Sequence, residues 1–484
     1  MELSKKAYIL YSTWGYPENW DEVEYSIKEV KAKSKVSTYA VLKYLRERGK
    51  EPTLSRVFVS DTLATVGGYK NYPEILNEVK SYIRDKINEF KLHEVYQSPI
   101  EVSVLPGAGN FPNKERTKNI THKGSVSQFY YEAMFQIVKD ISNLIDEGYT
   151  EFEFFLDVTH GQNYAPVLFD EALRKVMETL SYFLKNSAVK FYLMNSDPYV
   201  KGGIKELRIH ILKDDEKDEK KSGETVSPNI HLNKNPEEEY LKLLTLYLNE
   251  YSYKMKNVYT TIREFVKSLI RQKYNHESFK EYFKEYNVYI ASVVYVFPLA
   301  AYTFFIPHEE IMSILEYIRK IFFENITVKG NVIEKPLRYS PTFETFTLLS
   351  LSSKILSKLH GITRKSEISI DEAKKFKEIF EKSSNGNWRL VSSEIGRIES
   401  IINDKDSTKQ FKKVKNIEEL KDWTLLSKLS FSGKPAKTDE DSEPRNALAH
   451  GALNMSKVLI RYWDNTLYLK YKNPDSIKEW ITSI

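Results

Sequence analysis

Phe152-Glu153-Phe154-Phe155-Leu156 is a short apolar-rich run, and Asp157-Val158-Thr159-His160-Gly161-Gln162-Asn163 follows it with small and polar residues. Such a run bounded by turn formers reads as a buried strand. From Tyr164 to Leu184 apolar residues recur three and four apart, the period of a helix. The same grammar recurs upstream. Ala7 to Tyr11 ends in Ser12-Thr13-Trp14-Gly15, and Arg56 to Val59 ends in Ser60-Asp61-Thr62. Glu101 to Leu105 stops at Pro106-Gly107-Ala108-Gly109-Asn110. Val189 to Met194 and Leu207 to Leu212 read as two further strands, and Ile75 to Phe90 and Val126 to Ile145 as helices.

Strands alternating with helices predict an α/β domain, a mostly parallel Rossmann-like sheet with helices on both faces. We place this domain at residues 1–213. Residues 214–236 read as a charged linker or loop, because the charged run Lys213 to Lys221 leads into Gly, Pro, Ser and Asn. Residues 237–484 read as all-α. Helical patterns cover Tyr240 to Leu248, Tyr259 to Tyr274, Glu309 to Phe323 and Phe343 to Leu359. The uncharged stretch Val288 to Ile306 is nearly long enough to span a bilayer, but Pro298 and its tyrosines favour a buried helix pair. Thr363 to Val414 is more polar and reads as an insertion, and Trp423 to the end as a last helix-rich segment.

The 484 residues are 41% hydrophobic and 29% charged, the composition of a globular protein of two to four domains. Lys+Arg of 72 against Asp+Glu of 67 leaves +5, which excludes a histone-like cationic protein. With no cysteine there is no disulfide, thiol nucleophile or thiolate metal site. No secretory signal opens the sequence, so a cytoplasmic location without membrane attachment is expected. No cluster has metal-ligand spacing, and His308-Glu309-Glu310 lacks the second His of a zincin motif, so neither metal nor cofactor is expected.

In open α/β sheets, ligands lie outside the carboxyl ends of the strands. Gly107, Gly109 and Asn110 would let backbone approach a ligand there. Thr159 to Gln162 precede a helix whose N-terminus favours phosphate. Trp14, within the Ser12-Thr13-Trp14-Gly15 loop, could stack on a base. A nucleotide fits, although the same residues also suit ordinary βα turns. A dinucleotide does not fit, because no G-x-G-x-x-G follows the first strand. His122 reads as a solvated loop residue beside this cleft.

The C-terminal half holds one compact polar group, Arg445-Asn446-Ala447-Leu448-Ala449-His450-Gly451 after Pro444. On a helix Asn446 and His450 share a face, and a flexible Arg445 reaches the same cleft from the edge. Imidazole moves a proton near neutral pH, guanidinium grips a phosphate, and Asn orients either, which suits RNA cleavage. An interfacial Arg beside a capped His is the alternative on spacing alone.

Asp157-Val158-Thr159-His160-Gly161 resembles the D-[IV]-T-H-G signature of CARF domains, Rossmann-like sensors of cyclic oligoadenylate. Arg445-Asn446-Ala447-Leu448-Ala449-His450 resembles the R-x4-6-H motif of HEPN ribonucleases. Their order is that of the CARF–HEPN ancillary ribonucleases of type III CRISPR systems (Csx family). The resemblance implies that a ring nucleotide, commonly cyclic tetra-adenylate, binds a CARF dimer and activates metal-independent cleavage of single-stranded RNA. The ribose 2′-hydroxyl would attack the adjacent phosphate, leaving a 2′,3′-cyclic phosphate and a 5′-hydroxyl. It makes Thr159, His160, Gly161 and Gln162, with Ser12 to Gly15, ring-binding candidates. Arg445 and His450 become the catalytic pair and Asn446 their support, with a helical connector and an insertion between the two motifs. One Arg and one His per chain are thin equipment, so a homodimer with a composite cleft is expected, and larger assemblies of dimers would be compatible. The alternatives are a ligand-responsive nucleic-acid-binding regulator without nuclease activity and an unrelated nucleotide-dependent α/β enzyme.

Overall fold

The computed structural model describes residues 4–65, 67–113, 117–184, 188–200, 205–214, 247–248, 268, 279–381, 387–401, 420–429 and 450–482. The first half builds β1 (Lys5–Trp14), β2 (Val23–Ile27), β3 (Val30–Ser34), α1 (Ser37–Glu47), β4 (Leu54–Ser60), α2 (Tyr72–Glu89) and β5 (Ile100–Leu105). It continues with β6 (Gly109–Pro112), β7 (Asn119–Lys123), α3 (Ser127–Asp146), β8 (Tyr149–Asp157), α4 (Ala165–Phe183), β9 (Val189–Ser196) and β10 (Glu206–Asp214).

Eight of these strands form one sheet in the order β3-β2-β10-β9-β8-β1-β4-β5. The five from β9 to β5 are parallel and β10 is antiparallel to β9. The parallel strands read as continuous apolar runs because helices cover both faces. Tyr11, Phe58 and Phe169 show the packing: Tyr11 meets each phenyl ring edge-on at 5.5 Å, and the two phenyl centroids are 4.4 Å apart. From β1 the chain goes to β4 and β5 on one side, then returns to β8 on the other. That reversal puts the topological switch between β1 and β8, where Ser12 pairs in register with Asp157.

The described C-terminal half is helical in bulk: α5 (Phe279–Val294), α6 (Pro298–Thr303), α7 (His308–Glu324), α8 (Pro341–His360), α9 (Ile370–Phe380), α10 (Asn387–Glu399) and α11 (Pro474–Thr482). The uncharged stretch is the expected buried pair, α5 and α6, with Pro298 in the first turn of α6. Among the described residues no helix is long and apolar enough to cross a membrane. Helix α9 opens with a reciprocal capping box of Ser369 and Glu372.

The all-α expectation is corrected by short strands. They are β11 (Tyr247–Leu248), β12 (Thr327–Lys329), β13 (Val332–Glu334), β14 (Leu337–Arg338), β15 (Ile368–Ser369), β16 (Thr424–Leu425), β17 (Val458–Trp463) and β18 (Thr466–Tyr471). The last four form an antiparallel sheet in the order β15-β18-β17-β16. Residues 458–471 are therefore a hairpin and not the expected helix. Val458, Ile460, Leu467, Leu469 and Tyr471 alternate inward, and Asp464 and Asn465 both take positive φ at the two-residue turn.

The halves are joined intimately. β13 pairs in parallel with β7, extending the β6–β7 hairpin with two strands from far along the chain. Helix α8 packs on α3, where Arg319 grips the buried Glu132 through two nitrogens and Tyr339 donates to the same carboxylate at 2.5 Å. The expected linker 214–236 lies outside the described residues apart from Asp214, the last residue of β10.

Candidate functional site

The switch point brings the β1 and β8 loops together. Gly15 N–H donates to the His160 carbonyl at 2.7 Å, so the Ser12–Gly15 and Thr159–Gln162 segments meet directly. A Cβ on Gly161 would lie 2.1 Å from Pro166 Cγ and 2.6 Å from Thr13 Oγ1, so only glycine fits that approach. Helix α4 opens immediately beyond, with no side-chain cap and no acid in its first turn, an end that favours an anion.

Asp157 organises the floor. Its buried carboxylate accepts from Ser37 Oγ at 2.7 Å and Thr38 Oγ1 at 2.9 Å, both on α1, and from the Thr159 N–H at 3.1 Å. Thr159 Oγ1 in turn accepts from the Ser196 N–H. The His160 ring lies against Trp20, tilted by 37° with centroids 4.0 Å apart, and its Nε2 is 3.0 Å from the Tyr25 hydroxyl. Burial lowers the His160 pKa to about 4 despite the nearby Asp157 carboxylate, so the ring is neutral at pH 7. Thr13 Oγ1 and Gln162 Oε1 are out of solvent with no hydrogen-bond partner among the described residues.

Two expectations are corrected here. Trp14 is 2% exposed, its indole N–H donates to Thr38 Oγ1, and its ring packs against Trp20 and Phe90, so it offers no face to a base. Gly107 does not present free backbone: its N–H donates to Asp61 Oδ1 at 2.7 Å and its carbonyl accepts from Lys335 Nζ at 2.5 Å. Gly109, with φ of +139°, and Asn110 lie on the exposed β6 strand.

Against the Gly107 loop lies a buried polar cluster that no motif in the sequence marks. Asp61 Oδ2 faces Lys335 Nζ at 2.7 Å and accepts from the Tyr72 hydroxyl at 2.9 Å, while Asp61 Oδ1 lies 3.5 Å from His122 Nδ1. Burial alone would push the Asp61 pKa up, but Lys335 and His122 outweigh it and hold the carboxyl well below its usual range. His122 is 2% exposed and belongs to β7, which corrects its reading as a solvated loop residue.

Of the C-terminal candidates, Arg445 and Asn446 lie outside the described residues. His450 stands in a turn, half-buried, and its Nδ1 is 3.0 Å from Oε1 of the buried Glu394 on α10. A carboxylate can only accept, so Nδ1 carries the proton and Nε2 is the nitrogen left for chemistry. Arg397 Nη1 reaches the same Glu394 oxygen at 2.5 Å. Gly451 takes a φ of +53°, and a Cβ there would meet Val391 Cγ2 at 2.6 Å, which seats the turn against α10. Glu394 is 56 residues from its histidine, and no local pattern marks it.

This crevice lies at the carboxyl end of a parallel α/β sheet, at the β1–β8 switch where such sheets take their ligands. Residues 9–198 match the family described as the CARF domain of the CRISPR system endoribonuclease Csx1. The chain is 27% identical over 454 residues to the CRISPR system endoribonuclease Csx1 of Methanocaldococcus jannaschii, covering 93% of this chain and 86% of that one. The α/β half is thus similar to the CARF domain of Csx1, and the similarity to the Methanocaldococcus jannaschii protein extends over nearly the whole chain. The solved structure of Enterococcus italicus Csm6 bound to cyclic hexa-2'-fluoro-hexa-dAMP aligns over 83% of this chain and 88% of its own, at 15% identity. Its TM-score of 0.21 is too low for the superposition to bear on the fold or the site.

Proposed function

We propose that this chain is an endoribonuclease of CRISPR antiviral defence, switched on by cyclic oligoadenylate and cutting single-stranded RNA without a metal. Cyclic tetra-adenylate is the activator we assign. The observation that carries the reading is the His450–Glu394 dyad, in a chain related along nearly its whole length to a Csx1 endoribonuclease. The ring would lie across the loops of Ser12 to Gly15 and Thr159 to Gln162, with the neutral His160 and the α4 N-terminus beside it.

At the second site His450 Nε2 would take the proton of the ribose 2′-hydroxyl. That oxygen forms a bond to phosphorus as the P–O5′ bond breaks, and the departing oxygen leaves as a 5′-hydroxyl after gaining a proton. Arg445 would hold the phosphate and its developing charge, with Asn446 beside it. Two copies about a two-fold axis would double both groups in one cleft. Activation requires that the ring bind the active arrangement more tightly than the resting one.

The test incubates labelled single-stranded RNA and EDTA with the protein, with and without synthetic cyclic tetra-adenylate. Ring-stimulated, chelator-resistant cleavage is expected, falling by about 10²–10⁴-fold in His450→Ala. Cleavage unchanged by that substitution places the chemistry elsewhere.

A further inference from the structure

The C-terminal hairpin that replaced an expected helix has two unlike faces. Its inward side is the apolar row already described. Its outward side carries Arg461 and Trp463 from β17 and Tyr468 and Lys470 from β18, with Arg461 opposite Tyr468 in register. Trp423, just before β16, lies alongside. The Arg461 guanidinium carbon is 4.7 Å from the Trp423 ring centre, 5.9 Å from that of Trp463 and 6.0 Å from that of Tyr468. Lys470 Nζ is 4.2 Å from the Trp423 ring.

We propose that this outer face is a landing platform for the single-stranded RNA substrate, an assignment that rests on the ribonuclease reading for the identity of the polymer. Core packing does not require the arrangement, because Trp463 is 58% exposed. Strands β17 and β18 contribute no carboxylate to it. Glu367 takes one terminal Arg461 nitrogen at 3.2 Å. Cations held among aromatic rings fit a polymer that alternates phosphate with flat bases. Each exposed ring is a stacking surface, and each cation a phosphate contact. A duplex hides its base faces and gains nothing from Trp463.

Past Tyr468 the surface opens into a cavity of about 650 Å³ lined by Arg364, Lys365, Ser366, Ser369 and the carboxylates Glu367 and Glu372. Arg364 is paired with Glu285 and Lys365 with Glu372, so charge there is balanced. Preference for unpaired strands therefore comes from the rings. The platform also belongs to the same unit as the dyad: β15 leads directly into α9, and α9 packs on α10, which carries Glu394.

The experiment measures Kd of labelled oligouridylate for full-length protein in a His450→Ala background, where no cleavage can confuse binding. Trp463→Ala should weaken binding about tenfold and Trp463→Phe should restore most of it. Arg461→Gln should weaken it and reduce the salt slope by about one. A duplex of the same length should be indifferent to Trp463→Ala. Unchanged affinity in Trp463→Ala overturns the platform. So does a shift of that variant from dimer to monomer with RNA affinity intact, which would make the face a contact between copies. If Trp463→Ala weakens binding while the His450-competent protein never cuts RNA, the platform stands and the ribonuclease reading falls.

Discussion

Lys335 Nζ lies 2.7 Å from Asp61 Oδ2 with both side chains entirely out of solvent, so a cation from the helical half neutralises a carboxylate inside the α/β half. Asp61 also accepts from the Gly107 N–H, and Lys335 donates to the Gly107 carbonyl. The pair clamps one loop of the ligand end from both sides. Lys335→Met leaves the buried Asp61 charge with only His122 beside it and is expected to cost about 3 kcal/mol in urea unfolding. Asp61→Asn with Lys335→Met should cost less than the sum of the two single changes, because the partners are coupled. Simple additivity would mean that the pair does not interact.

His160 makes stability depend on mild acid. Its folded pKa is lowered to about 4 from an ordinary 6.5, chiefly by burial. Below pH 6.5 the unfolded chain binds a proton that the folded chain refuses. Stability therefore falls as pH drops from 6.5 to about 4, by about 2–3 kcal/mol from this residue. In His160→Phe the urea midpoint should change less across that window. An equal change in both proteins would show that His160 is not the group responsible.

Gln162 and Trp14 should separate binding from folding. Gln162 Oε1 is unpartnered at the crevice, so Gln162→Leu is expected to weaken cyclic tetra-adenylate binding about tenfold in calorimetry with an unchanged melting temperature. Trp14→Ala empties a buried indole site and should lower stability by about 3–5 kcal/mol. Selective loss of ring binding in Trp14→Ala, with full stability, would contradict its buried placement.

Glu394→Gln keeps the shape beside His450 Nδ1 while removing the charge that orients it. Cleavage should fall about tenfold or more, in kcat rather than KM, with folding cooperativity preserved. Glu394→Ala should do no less. Full activity in both variants would reduce the dyad to a structural contact.

The parallel strands were legible because each is an apolar run stopped by turn residues, and the loops proposed to take the ligand came with them as strand ends. The β2–β3 hairpin was not, because Val23-Glu24-Tyr25-Ser26-Ile27 and Val30-Lys31-Ala32-Lys33-Ser34 alternate like half-exposed strands without a long apolar core. β17–β18 carried a usable signal, Asp464-Asn465 between alternating residues, inside the segment from Trp423 onward that is expected to be helix-rich. Lys335 and Glu394 gave no sequence cue. Each acts on a residue remote in the chain, and only the packing of separate elements creates the pair.

The parallel pairing of β7 with β13 sets the limits of modularity in this molecule. The α/β domain borrows a strand, and a charge, encoded more than a hundred residues beyond its last contiguous element. A fragment cut after residue 214 would keep its parallel sheet but bare the β7 edge and leave Asp61 without its lysine. Such a piece is prone to self-association, because an open strand edge invites another chain. Any exchange of this domain between proteins would have to carry residues 332–335 as passengers.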